Sequence, residues 1–298
     1  MRFKLTLLLA LLIPISAAAQ TPEDATRRLW DTAFIVAPAK KHAVKRRAPA
    51  RAYRVATPAV PIDKVDPNNV VGVTIWRLRT ASPTDAGERL IVHEHNVDKE
   101  WVPQRIAAGT RLAQGDRVRV SIEAARTGYL YVIDREQYAD GTLGEPYLIF
   151  PTTRTLGGDN KLSIGRLVEI PAQDDNPPYF TVKRSRPNHI AEVLSVLVTP
   201  EPLEGIQIGE QAQKLAESQV ASWEKSWSTR VGRLEMQNTV GQSWTKEERD
   251  AGGENTRALT ATGPAPQLLF YRPGAKASDP IFVQLRLLYE GAGKRTSQ

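Results

Sequence analysis

The sequence predicts a mainly β protein, an antiparallel β-sandwich with a helical insertion near residues 204–262 and a short N-terminal helix. Three observations carry this. From Val70 the apolar residues recur with a period of two for some 130 residues. Turn chemistry such as Gln114-Gly115-Asp116, Asp140-Gly141 and Asn176-Pro177-Pro178 punctuates the short runs, and no helical pattern falls between them. That arrangement opposes a parallel α/β sheet, which needs crossover helices. After Pro202 the period lengthens to a helical one and then returns to two near the C-terminus.

The chain opens on Arg2 and Lys4, an apolar run from Leu7 to Ile15, and then Ala17, Ala18 and Ala19 before Gln20. This is the layout of a cleavable signal peptide over residues 1–19, so the mature protein is expected to be exported, periplasmic or secreted. The apolar run is about nine residues, well under the roughly 20 of a spanning helix, and no other stretch is apolar enough to make a transmembrane segment. The chain contains no cysteine, which excludes disulfides, thiolate chemistry and acylation at an N-terminal cysteine.

Thr21-Pro22-Glu23-Asp24 supplies a cap hydroxyl, a proline at the first helical position and acids at the positive end of the dipole. A short helix is expected to run to about Val36, its Leu29, Trp30, Ala33 and Phe34 docking against the body or a partner. The net charge of +7 is concentrated just beyond that helix, in Lys40, Lys41, Lys45, Arg46, Arg47, Arg51 and Arg54, with no acid among them. From Val55 onward 29 basic residues face 30 acidic ones. Residues 20–66 therefore read as a short helix and a basic disordered linker, either a solvated spacer or an arm that attracts an anionic glycan or lipid surface. Nucleic acid is disfavoured by the compartment.

The β-sandwich domain is expected over 67–290, followed by a disordered tail at 291–298. Arg117 to Ala124 alternates Val118, Val120 and Ile122 with Arg119, Ser121 and Glu123, predicting one buried and one wet face. Tyr129 to Ile133 is apolar on both faces, as in a central strand. Strand character also marks Val71–Leu78, Tyr147–Phe150, Leu167–Ile170, Tyr179–Lys183, His189–Thr199, Gln267–Tyr271 and Pro280–Tyr289. Within the insertion, Ala212, Leu215, Ala216, Val220, Trp223 and Trp227 fall at helical spacing, and Thr245-Lys246-Glu247-Glu248 is a helix start.

Gly115-Asp116-Arg117-Val118, Gly128-Tyr129-Leu130-Tyr131-Val132, Asp140-Gly141, Phe150-Pro151, Gly165, Ile170-Pro171 and the strand ending at Thr199 form an ordered series of motifs. Over residues 70–203, with the closing strands at 266–289, this series resembles the 4384 family of domains of unknown function. The resemblance implies an exported bacterial β-domain, often joined to other modules, and carries over no catalytic residues. The segment from Gly205 to Gly263 departs from it.

Among motifs that carry chemistry, Ser222-Trp223-Glu224-Lys225 has the S-x-x-K spacing of penicillin-recognising enzymes, but the companion K-T-G and S-D-N elements are absent from the chain. No G-x-S-x-G elbow, H-E-x-x-H pair or phosphate-cradling glycine loop occurs, and the sequence points to no cofactor. His93-Glu94-His95 would place two imidazoles on one side of a strand, which is less than a metal site. The acids Asp134, Glu136 and Asp140 are read as lying between two strands, where they serve either as ordinary turn and solvating residues or as an acid and base pair or calcium loop. Tyr129, Tyr131, Tyr138 and Tyr147 read as half-buried packing or as a ligand groove, and Trp223 and Trp227 as core. The functional expectation is an exported, non-catalytic binding or scaffolding module of the bacterial cell envelope that engages an envelope protein or anionic surface. Its alternatives are an envelope hydrolase using the loop carboxylates and a structural subunit of a secretion or surface assembly.

Overall fold

A computed structural model describes residues 53–57, 65–94, 97–228, 231–236, 239–253, 264–276 and 278–291. The signal segment, the N-terminal helix expected over residues 21–36, the basic residues Lys40 to Arg51 and the tail beyond 291 lie outside them. The strands in chain order are β1 (Tyr53–Thr57), β2 (Val70–Thr80), β3 (Leu90–Glu94), β4 (Val97–Arg105), β5 (Arg111–Leu112), β6 (Arg117–Ala124), β7 (Gly128–Tyr138), β8 (Tyr147–Phe150), β9 (Lys161–Leu162), β10 (Leu167–Ile170), β11 (Phe180–Thr181), β12 (His189–Thr199), β13 (Gln213–Lys214), β14 (Gly232–Met236), β15 (Leu268–Tyr271) and β16 (Ile281–Tyr289). Two α-helices, α1 (Glu217–Trp227) and α2 (Lys246–Gly252), fall between β13 and β15.

Two sheets face each other. In the first, β6 pairs along one edge of β2, β10 and β11 continue beyond β6, and the other edge of β2 is shared by β15 and β4. In the second the order is β13-β8-β7-β12-β16-β5, antiparallel except for the short β16–β5 contact. The shared core is built from the alternate residues that the period of two predicts: Val73 and Ile75, Val118, Val120 and Ile122, Leu130 and Val132, Leu194, Val196 and Val198, and Ile281, Val283, Leu285 and Leu287. β7 lies between β8 and β12, and its outer residues Tyr131 and Ile133 are buried as well, in a cluster with Leu215 and Val220.

The insertion covers part of both outer faces. Val220 of α1 and Leu215 pack with Tyr131, Ile133, Leu197 and Phe282 on the outside of the second sheet. On the first sheet, Trp244 and α2 cover the face expected to be wet. Arg119, Ser121 and Glu123 are buried there, a correction of the sequence expectation that results from the later segment folding back over β6. Arg119 Nη2 donates to Glu169 Oε2 at 3.0 Å with both side chains 1% exposed. Arg105 pairs with Glu248 of α2, itself the last residue of a capping box with Thr245. Trp76 Nε1 donates to Ser121 Oγ at 2.7 Å. These ion pairs fit the rule that buried charge is tolerated when partnered.

The insertion is not purely helical. β14 bridges β1 and β15 inside the first sheet, and β13 adds an edge to β8. The end of the expected disordered arm is also ordered, with Arg54 lying opposite Glu235 in the β1–β14 ladder.

Gly252 closes α2 against the buried pair: a Cβ there would stand 2.5 Å from Glu169 Cδ. The Gly252→Ala variant is expected to lose about 1–3 kcal/mol by overpacking, read as a lower urea midpoint with an unchanged slope.

Candidate functional site

The constellation with the most unusual chemistry lies where the inner face of the second sheet meets the loops at the ends of β7 and β12. The inner face of β7 runs Leu130, Val132, Asp134, Glu136, so the apolar alternation that fills the core turns acidic within one strand. Asp134 and Glu136 are therefore strand residues rather than members of a connection, which corrects the sequence reading. Opposite Glu136 in the ladder stands Glu192 of β12, and Tyr289 of β16 reaches it from the next strand. A register shift between His189 and Ala191 inserts Ile190 as an extra residue. Residues 189 and 192 would face opposite sides of a regular strand; the bulge turns both inward and leaves Ile190 exposed.

The result is a compact polar cluster. Tyr289 Oη donates to Glu192 Oε1 at 2.8 Å. Tyr138 Oη and Ser185 Oγ donate to Glu136 Oε2 at 2.5 and 2.8 Å. His189 is fully buried between the rings of Tyr138 and Tyr289. Its Nδ1 accepts from the Ser185 amide at 3.3 Å and its Nε2 faces Ala191 O at 3.0 Å and Glu192 Oε1 at 3.3 Å, so a proton on Nε2 meets two acceptors.

Burial and mutual repulsion set the charge of the carboxyls. Asp134 is pushed up to about 7, chiefly by burial, with Glu136 adding repulsion. Glu192 is pushed up to about 8 by burial and then by Asp134. Burial also acts to raise Glu136, but hydrogen bonds from Tyr138 and Ser185, with His189 and Arg186 nearby, outweigh it and hold that group below the usual range. Burial and the neighbouring carboxyl of Glu192 raise the Tyr289 phenol well above its ordinary value. Asp134 Oδ1 and Glu192 Oε2 are buried and accept no hydrogen bond from the surrounding donors. A proton held between the two carboxyls satisfies both, and it is the state their raised affinities favour near neutrality.

Two openings meet at this pair. A polar cleft of about 700 Å³ is lined by Asp134, Glu136 and Glu192 on its floor and by Asp140, Glu145 and Arg186 toward its rim. A smaller, mostly apolar cavity of about 160 Å³ between the sheets is lined by Val118, Val120, Ile149, Leu194 and Leu287, with Asp134, Glu192 and Tyr289 at its polar part.

The three acids singled out in the sequence thus share one cleft, although their roles differ. Asp140 is exposed and accepts from Thr142 N at 3.0 Å and Thr142 Oγ1 at 2.7 Å, a turn that holds it below the usual carboxylate range. Of the tyrosines, Tyr138 joins the site, Tyr131 is buried in the outer cluster under α1, and Tyr147 is exposed at the rim. Trp223 and Trp227 stack at 5.9 Å against that outer cluster. His93 is exposed on the β3–β4 hairpin and bonds Asp98 at 2.9 Å, while His95 lies outside the described residues. Among the described residues no group of three or more His, Asp or Glu side chains is set to hold a metal, and no helix is long and apolar enough to cross a membrane. Of the basic-arm residues only Arg54 is described, in the ladder of β1, and the other six lie outside the described residues.

Sequence reasoning missed Glu192, His189 and Tyr289. The one local signal was Glu192 interrupting an otherwise apolar strand, since its partners are gathered only by the β7–β12–β16 pairing and the bulge. No family model, curated protein or solved structure matches this chain.

Proposed function

We propose that this protein is an exported, non-catalytic binding module of the bacterial cell envelope whose partner is received in the acidic cleft. The observation that carries the reading is the Asp134–Glu192 pair, two carboxyls facing one another on the cleft floor, each with a buried oxygen that meets no donor but the proton the pair shares. Such a pair costs stability, and groups kept at that cost concentrate at sites that bind. The signal-like N-terminus supports export, and the resemblance of the motif series to the 4384 family of domains of unknown function is in keeping with it. Immobilised protein spanning residues 20–298 is expected to retain envelope components, and the Asp134→Asn, Glu136→Gln, Glu192→Gln triple variant to retain at least about tenfold less, the scale of one lost charge-assisted hydrogen bond. Retention that is lost on deletion of residues 40–51 and ignores the triple variant would place the contact on the arm and overturn the assignment.

One observation favours a hydrolase instead. An ionised Glu136 beside proton-holding Asp134 and Glu192 is the division of labour between a general base and a general acid. Turnover of an envelope glycan or peptide, abolished by Glu136→Gln, would establish that reading in place of the first.

A further inference from the structure

The geometry points to a primary alkylammonium as the group this site takes, its carbon chain in the apolar cavity between the sheets and its nitrogen on the oxygens of Asp134 and Glu192. The inference rests on the cleft being a binding site and deepens it by naming the ligand chemistry. Three features of the cavity select for this class. Its walls are aliphatic side chains from both sheets, Val118 and Val120 on one side and Leu194 and Leu287 on the other. At about 160 Å³ it is on the scale of an apolar cavity that takes one benzene-sized molecule, which suits a short carbon chain rather than a sugar ring with its hydration. Its polar part consists of Asp134, Glu192 and the Tyr289 phenol, and the two oxygens there, Asp134 Oδ1 and Glu192 Oε2, meet no donor of the surrounding protein and are served only by the proton the two carboxyls share.

An ammonium group carries three donors and no acceptor, so it can replace the shared proton and donate to both carboxyls, which a hydroxyl with its single donor cannot. Arg119, the basic side chain among the described residues that line the cavity, does not compete. It extends from the opposite face of β6, where it bonds Glu169 Oε2 and Pro171 O. An anion is disfavoured by the carboxyls of Asp134 and Glu192, and an uncharged alkane would leave their shared proton in place.

Charge balance makes the site proton-linked. An entering ammonium displaces the proton held by the carboxyl pair, so binding releases up to two protons and tightens as the pair ionises. The groups facing the pair are Glu136 and Tyr138 from β7, His189 from β12, Tyr289 from β16 and Arg186 from the loop before β12. With apparent values near 7 and 8 for the pair, the change falls between about pH 6 and pH 9, below the ordinary range of an alkylammonium near 10.4.

Methyl-resolved NMR of the residue 20–298 protein tests this with n-butylamine, n-butanol and n-butyrate as probes. Two further probes separate the sources of an alkylammonium: 1,4-diaminobutane for a free amine, and Nα-acetyl-lysine methylamide for a protein side chain. Butylamine is expected to shift the Leu194 and Leu287 methyls saturably, to bind at least about tenfold more tightly at pH 9 than at pH 6, and to bind at least about tenfold more weakly to the Asp134→Asn, Glu192→Gln variant, the scale of one charged hydrogen bond. Butanol and butyrate are expected to be weak on every protein. The pH series on the unsubstituted protein keeps the test decisive if the double variant does not fold. Equal binding of butanol and butylamine, or amine binding indifferent to pH, overturns the assignment. Failure of butylamine to bind, while envelope retention still depends on Asp134 and Glu192, overturns the alkylammonium and leaves the cleft standing. Loss of both overturns both.

Discussion

Replacing Arg119 with alanine is expected to destabilise the protein by about 3–5 kcal/mol, the cost of leaving one partner of a buried ion pair uncompensated. For a body of this size that corresponds to a fall in Tm on the order of 6–20 °C. Burial already raises the proton affinity of Glu169, and the Arg119 guanidinium offsets part of that rise. With it removed, Glu169 keeps one hydrogen bond from Gln173 at 2.6 Å and the close packing of Gly252, neither of which neutralises a charge. The double replacement Arg119→Leu, Glu169→Leu is expected to recover most of the loss, because two apolar side chains need no partner. Denaturant unfolding measures both. An Arg119→Ala protein within about 1 kcal/mol of the parent, the range of an exposed pair, would mean that the insertion does not seal this face.

The second large effect is on the dependence of stability on pH. Asp134 and Glu192 hold protons in the folded chain to about 7 and 8, against 3.8 and 4.5 for the free side chains. The folded state therefore binds more protons than the unfolded state between those limits, and stability must fall as pH rises through that window. The contribution is complete below about pH 4 and gone above about pH 8. Its size is on the order of 2–4 kcal/mol, smaller than the sum of two independent shifts because the two groups share a proton. The Asp134→Asn, Glu192→Gln protein is expected to be the more stable one at pH 9 and to lose most of the slope between pH 5 and pH 9. Urea midpoints across that range check this. A parent protein whose midpoint is flat from pH 5 to pH 9 would show that the pair is ionised and solvated.

Why these features differ in how far they could be read from the chain is a matter of range. β8, β10 and β12 coincide with their sequence-read bounds because alternation and flanking turns are local. The start of α2 at Thr245 was legible for the same reason, since a capping box is written in four consecutive residues. The dry face of β6 was not. Arg119, Ser121 and Glu123 look solvated until Trp244 and Glu248, more than a hundred residues later, are folded over that sheet and bring partners for the charges. The candidate site shows the same division. Asp134, Glu136 and Asp140 could be singled out as a cluster of acids, but their meaning came from β12 and β16. Strand pairing sets Glu192 opposite Glu136, a bulge turns His189 inward, and Tyr289 closes the far side. None of those is a spacing rule.

Both the cleft's binding role and its preference for a cation depend on Asp134 and Glu192 sharing a proton at its floor. Carboxyl-carbon NMR titration of the two side chains in the unsubstituted protein reads that proton without substitution or ligand. Two linked transitions are expected for the pair, with apparent values near 7 and 8. Independent titration of both carboxyls near 4, the ordinary range for exposed acids, would show that no proton is shared there.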